Sequence, residues 1–166
     1  MRLDINISDC LRDKYSEEQG RISELDTRSF QSVVFLTFLI LSVVFVGYLE
    51  RESIFHPVSP LAWGFLAFYL FTVFCLVCAW GHAILAFKLG MDSKQSDIKA
   101  IHQLLISSED AQKDTMAEAY LSVIEALEQL ANAKQTNLSH AYSELTISAW
   151  LFFGGALIAL FIELAS

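Results

Sequence analysis

Residues 108–164 read SEDAQKDTMAEAYLSVIEALEQLANAKQTNLSHAYSELTISAWLFFGGALIALFIEL, and this stretch decides the fold. No glycine or proline occurs between Met91 and Phe153, while the composition passes from polar to apolar without a break. The spacing predicts one helix from Ser108 to Leu164, a polar stalk that ends as a membrane span. At 1.5 Å per residue such a helix is about 80 Å long, well beyond the thickness of a bilayer.

Working outward, charged residues vanish from three windows: Ser29–Leu49, Ser53–Phe87 and Leu145–Ile162. An α-helical span needs about 20 apolar residues, so the first and third windows fit one span each. The second is too long for one span and too short for two. Pro57 and Pro60 mark its start, which places the helix at about Leu61–Phe87. The expected fold is therefore all-α: three transmembrane helices with a cytosolic bundle of amphipathic helices, the last of them continuous with the third span. The segments are an N-terminal amphipathic helix at 1–28, spans at 29–49, 61–87 and 145–164, a short outer loop at 50–60, and a helical hairpin or stalk at 88–144.

Composition agrees with a small polytopic membrane protein carrying one polar layer. Of 166 residues, 54% are apolar, 13 are Phe and only 18% are charged. The mean hydropathy is +0.45. Twenty-nine residues precede the first long apolar stretch, unlike a secretory signal.

Lysine and arginine placement sets the expected orientation. The N-terminal arm holds Arg2, Arg12, Lys14, Arg21 and Arg28, and residues 88–144 hold Lys88, Lys94, Lys99, Lys113 and Lys134. The loop between the first two spans has only Arg51. The N-terminus and the long polar segment are thus expected in the cytosol, and the C-terminus outside, with a bacterial inner membrane as the host bilayer. The Asn6-Ile7-Ser8 and Asn137-Leu138-Ser139 sequons then lie on the wrong side for glycosylation.

The net charge is −8, and the two polar parts carry 16 acidic against 10 basic residues without a basic cluster. That balance excludes electrostatic capture of nucleic acid. The three cysteines, two within one span, give no disulfide framework.

In the N-terminal arm, Leu11, Tyr15, Ile22 and Leu25 fall on one face of a helix from about Asp9 to Arg28, with Glu18 in the missing heptad position. Gly90 is a natural helix stop, after which Ile98, Ile101 and Leu105 share one face of a further helix. Ser107 or Ser108 is the expected cap of the next, with Ser107-x-x-Asp110 similar to a capping box. There Met116, Tyr120, Val123, Leu127 and Leu130 alternate by four and three, as in a coiled-coil seam. The stripe fades through Lys134 and Asn137 and resumes at Ala141 and Leu145. Stripes of this kind bury one another, within one chain or between subunits.

The inner half of the second span carries the most unusual local pattern. Cys75, Cys78, Ala79, His82, Ala83 and Ala86 share one helical face. A small-residue face allows the close helix approach by which spans associate in lipid. The outer half is bulky, with Trp63, Phe65, Phe68, Tyr69, Phe71 and Phe74, and is expected to face lipid or fill wider gaps. An ionisable side chain at membrane depth is a functional candidate. His82 has three readings: a gate or proton-sensing residue, a metal ligand with Cys75 and Cys78, or a neutral imidazole bonded to a carbonyl or hydroxyl of a neighbouring span. The third reading is the commonest for such a histidine, and Cys-x-x-Cys within a helix lacks the turn of a zinc knuckle. No metal or cofactor is therefore assigned.

In the third span, Gly155-x-x-x-Ala159, preceded by Gly154, is a small-xxx-small pair suited to a close crossing. Tyr48, Trp63 and Trp150 lie near the expected interfaces as aromatic anchors. His102 and His140, with Glu109, Asp110, Glu125 and Glu128, read as solvated helix faces. No phosphate-binding glycine loop, nucleophile elbow or zinc-protease motif occurs, so no enzyme is indicated.

The layout of helix, two spans with a short link, then cytosolic helices resembles the two-span membrane effectors of bacterial antiviral operons. The likeness is one of arrangement without a shared motif, and the third span departs from it. It implies a membrane-depolarising assembly. The residues and this layout together lead to a non-enzymatic homo-oligomer embedded in a lipid bilayer, with a protein partner on its cytosolic helices and spans that form or gate a pore. An accessory subunit of a larger membrane complex and a phage holin-like protein are the alternatives.

Overall fold

The computed structural model describes the backbone of residues 2–56, 59–107 and 113–165, and the side chains of residues 10, 12–51, 54–56, 59–89 and 121–164. Four helices follow in order: α1 Arg2–Leu49, the short α2 Arg51–Phe55, α3 Pro60–Ser107 and α4 Lys113–Ala165. No strand occurs among the described residues. Three of these helices are long and apolar enough to cross a membrane, through segments within Arg12–Leu49, Pro60–Leu89 and Leu121–Leu164.

The helices are longer than their sequence signals. The arm and the first span, read as two segments, form one unbroken α1. Gly90 does not end α3, which continues to Ser107. A glycine inside a helix costs only about 1 kcal/mol relative to alanine, and the neighbouring turns retain their hydrogen bonds. Ser107 ends α3 rather than capping α4, which begins at Lys113. Ser108, Glu109 and Asp110 lie outside the described residues. The start of α3 follows the sequence closely: Ala62 N donates to Ser59 Oγ at 3.2 Å, and Pro60 takes the first helical position. A serine cap followed by proline suits that end, because proline lacks an amide that would otherwise need a partner.

The chain divides into two compact units. One comprises Met1–Phe30 with Leu85–Asn137, the other Gln31–Ile84 with Leu138–Ser166.

In the first unit α1 and α4 run in the same direction. Ile22, Leu127 and Ala131 form its core, with Tyr15, Leu25, Val123 and Leu130 packed around them. Arg21 donates to Asn132 Oδ1 at 3.2 Å and to Gln135 Oε1 at 2.7 Å. Lys134, where the apolar stripe was expected to fade, is completely buried and pairs with Asp26. The stripe is not interrupted there. Ile124, Leu127, Ala131, Lys134, Leu138 and Ala141 are all buried, a three-four alternation that charge alone concealed.

In the second unit α3 runs antiparallel to both α1 and α4. Leu36, Leu76, Ala79, Ala83 and Ala141 make the core, flanked by Val33, Leu39, Ile40, Val43, Trp80 and Leu145. Trp80 Nε1 donates to Thr37 Oγ1 at 2.9 Å, and Tyr69 Oη donates to the Val43 carbonyl at 3.1 Å. The buried Thr72 hydroxyl donates to the carbonyl four residues back, so it meets lipid-depth packing with its donor satisfied.

Outward faces of the same unit are apolar. Phe38 is 70% exposed, Trp63 61%, Tyr48 67% and Trp150 71%. In water each such ring would cost about 25 cal/mol per Å² of apolar surface, whereas acyl chains accept it without loss. These faces and the three long apolar helices define an integral membrane protein.

Candidate functional site

The small-residue face of α3 decides how closely its neighbours approach. Ala79, Ala83 and Ala86 have no exposed surface, and Ala79 and Ala83 lie against Leu36 of α1 and Ala141 of α4. Alanine at these positions leaves room for Leu36, a long side chain that is itself 2% exposed. Cys75 and Cys78 are half-buried free thiols on the same helix.

Towards the start of α3 the size relationship reverses. The aromatic half meets the glycine pair of α4: a Cβ on Gly154 would lie 3.0 Å from Phe68 Cε1, and one on Gly155 would lie 3.4 Å from Phe68 Cβ. Gly155 is buried, so the pair forms the notch that receives Phe68 and Phe65. Ala159, one turn further along α4, is half-buried. Large on small at one end and small on small at the other keeps α3 and α4 in register.

His82 lies on this interface at the end nearer the polar segments. Its Nε2 is 3.5 Å from Glu144 Oε1, and its ring centroid is 5.4 Å from that of His140, the planes inclined at 37°. His140 and Glu144 are four residues apart on α4, so one turn presents both towards α3. The other carboxylate oxygen, Glu144 Oε2, is buried and has no hydrogen-bond partner among the described residues. Sequence reasoning expected a carbonyl or hydroxyl beside His82 and treated His140 as part of a solvated face. The signal available for the observed pair was the His140-x-x-x-Glu144 spacing just before an apolar span, which places two titratable groups at the membrane boundary.

Among the described residues, no group of three or more His, Cys, Asp or Glu side chains is placed to hold a metal ion. Val123, Leu127 and Leu130 of the expected seam pack against α1 of the same chain. The side chains of Met116 and Tyr120 lie outside the described residues, as do those of His102, Glu109 and Asp110.

The class is thus a three-span, all-helical integral membrane protein. No protein-family model, curated protein sequence or solved structure matches the chain.

Proposed function

We propose that the chain is a non-enzymatic, self-associating membrane protein, with its polar helices in the cytosol binding a protein partner and its spans forming or gating a pathway. The carrying observation is that α1, Arg2–Leu49, and α4, Lys113–Ala165, each pass from a charged segment into an apolar span without a helix break. A partner that rotates or displaces the polar turns of such a helix acts on its apolar turns through continuous backbone hydrogen bonds rather than through a flexible linker. Lysine and arginine placement supports a cytosolic N-terminus and an outer C-terminus.

A pathway in this reading requires several copies. The interior of the span-bearing unit is filled by Leu36, Leu76, Ala79, Ala83 and Ala141, which leaves the surfaces between protomers to enclose it. Depolarisation of a bacterial inner membrane in antiviral defence is the setting that the layout favours.

The test is the mass of the protein, expressed alone and held in nanodiscs, followed by ion flux from proteoliposomes. One discrete oligomer with flux supports the proposal, and His82→Leu is then expected to abolish the flux. A monomer without flux, or a chain stable only with a co-purifying protein, replaces it with an accessory subunit of a larger complex.

A further inference from the structure

We infer that His82 and Glu144 form a proton-operated clasp between α3 and α4, closed when the imidazole is protonated. It rests on the contacts within one protomer and does not depend on the existence of a pathway.

The geometry meets the requirements for such a clasp. The His82–Glu144 separation of 3.5 Å is ion-pair distance, and the two residues belong to different helices. Glu144 has one oxygen facing His82 and the other buried without a partner among the described residues. A partly desolvated carboxylate of this kind gains most from a full positive charge beside it, because water screens the interaction poorly there. Histidine is the side chain that ordinarily changes charge between about pH 5 and 8, and only its protonated form offers Glu144 a full counter-charge.

Other titratable groups lie on the elements packed here. From α4 they are His140, whose ring stacks beside His82, and Tyr142, whose hydroxyl shares a 3.3 Å hydrogen bond with Ser32 of α1. From α3 they are the thiols Cys78 and Cys75, one and two turns before His82 on the same face. The α1 stretch packed here, residues 29–47, contains no titratable side chain. Two imidazolium rings at 5.4 Å would repel each other.

Proton binding therefore acts on helix packing. With the clasp closed, α3 and α4 are joined by charge at the same end where Ala79 and Ala83 already bring them close. With it open, half-buried Glu144 faces a neutral ring, and that end of the interface loosens.

The experiment is a double-mutant cycle on the full chain in nanodiscs: wild type, His82→Gln, Glu144→Gln and the double variant, melted at about pH 5.5 and about pH 8. The expected result is a stabilising coupling between the two positions at the acid pH that falls at least several-fold at the alkaline pH. Coupling of equal size at both pH values, or none at either, overturns the clasp. A second measurement uses only the wild-type chain. With labelled histidine and glutamate, the Glu144 carboxyl carbon and the His82 ring resonances are expected to move together over one pH interval, and independent movement overturns the inference even where a variant fails to fold.

Discussion

Lys134 of α4, with no exposed surface, is paired with Asp26 of α1, a residue 108 positions earlier in the chain. The pair sits in line with Ile22, Leu127 and Ala131, so it occupies a core position in an otherwise apolar contact. A buried ion pair is weak support for stability but a strong constraint on register, because a slip of either helix strands a charge.

Removing one partner is accordingly expected to harm the protein more than removing both. Asp26→Ala leaves Lys134 buried without this counter-charge, at an expected cost of about 3–5 kcal/mol. Asp26→Leu combined with Lys134→Met is expected to melt at or above the wild-type temperature. Thermal unfolding in nanodiscs checks both, and a double variant as unstable as Asp26→Ala would show that the charges themselves hold the fold.

Three glycines of α1 and α4 are expected to respond to alanine in a definite order. A Cβ at Gly47 would overlap the Tyr69 hydroxyl, displacing a ring that bonds Val43 and stands edge-on to Phe55. Gly47→Ala should cost about 1–3 kcal/mol, the usual range for overpacking. Gly20 is exposed, and a methyl group added there would meet nothing within 4 Å. Gly20→Ala should therefore gain about 0.5–1 kcal/mol from helix propensity alone. Gly154→Ala should fall between them, since Phe68 needs to yield by only a few tenths of an ångström. Melting temperatures of the three variants give the order directly.

Enlarging the small face of α3 is expected to separate the spans. Ala83→Leu adds three heavy atoms where Leu36 and Ala141 already fill the space. The expected cost is at least about 1–3 kcal/mol. Val77→Leu, on an exposed side of the same helix, should be close to neutral in lipid. Comparable losses in both variants would show that residue volume on α3 matters irrespective of the face.

The expected orientation is open to a labelling test with a membrane-impermeant maleimide. In sealed inside-out vesicles, the exposed Cys10 should react, whereas a cysteine replacing His56, in a variant lacking the native thiols, should react only after permeabilisation. The reverse pattern would invert the topology.

Much of the candidate site was open to sequence reading only as faces. The spacing of Cys75, Cys78, Ala79, His82, Ala83 and Ala86 identified a side of α3 suited to close packing, because helical periodicity is a property of neighbouring residues. Which residue of α4 stands opposite His82 is not such a property. His140 and Glu144 belong to a distant segment, and nothing in their own surroundings distinguishes a turn facing solvent from a turn facing α3. Lys134 illustrates the same limit from the other side. A lone charge reads as a break in a stripe until its counter-ion is found on another helix.

The sequence by itself determined the three apolar helices and the proline-marked start of the second, since hydropathy and helix-start signals belong to adjacent residues. Tertiary structure alone decided that α1 packs alongside α4 through a buried Lys134–Asp26 pair, that Phe68 fills the Gly154–Gly155 notch, and that Glu144 meets His82. Those outcomes depend on close packing between segments far apart in the chain, where the fit of one side chain is set by volumes and charges that its own neighbours do not encode.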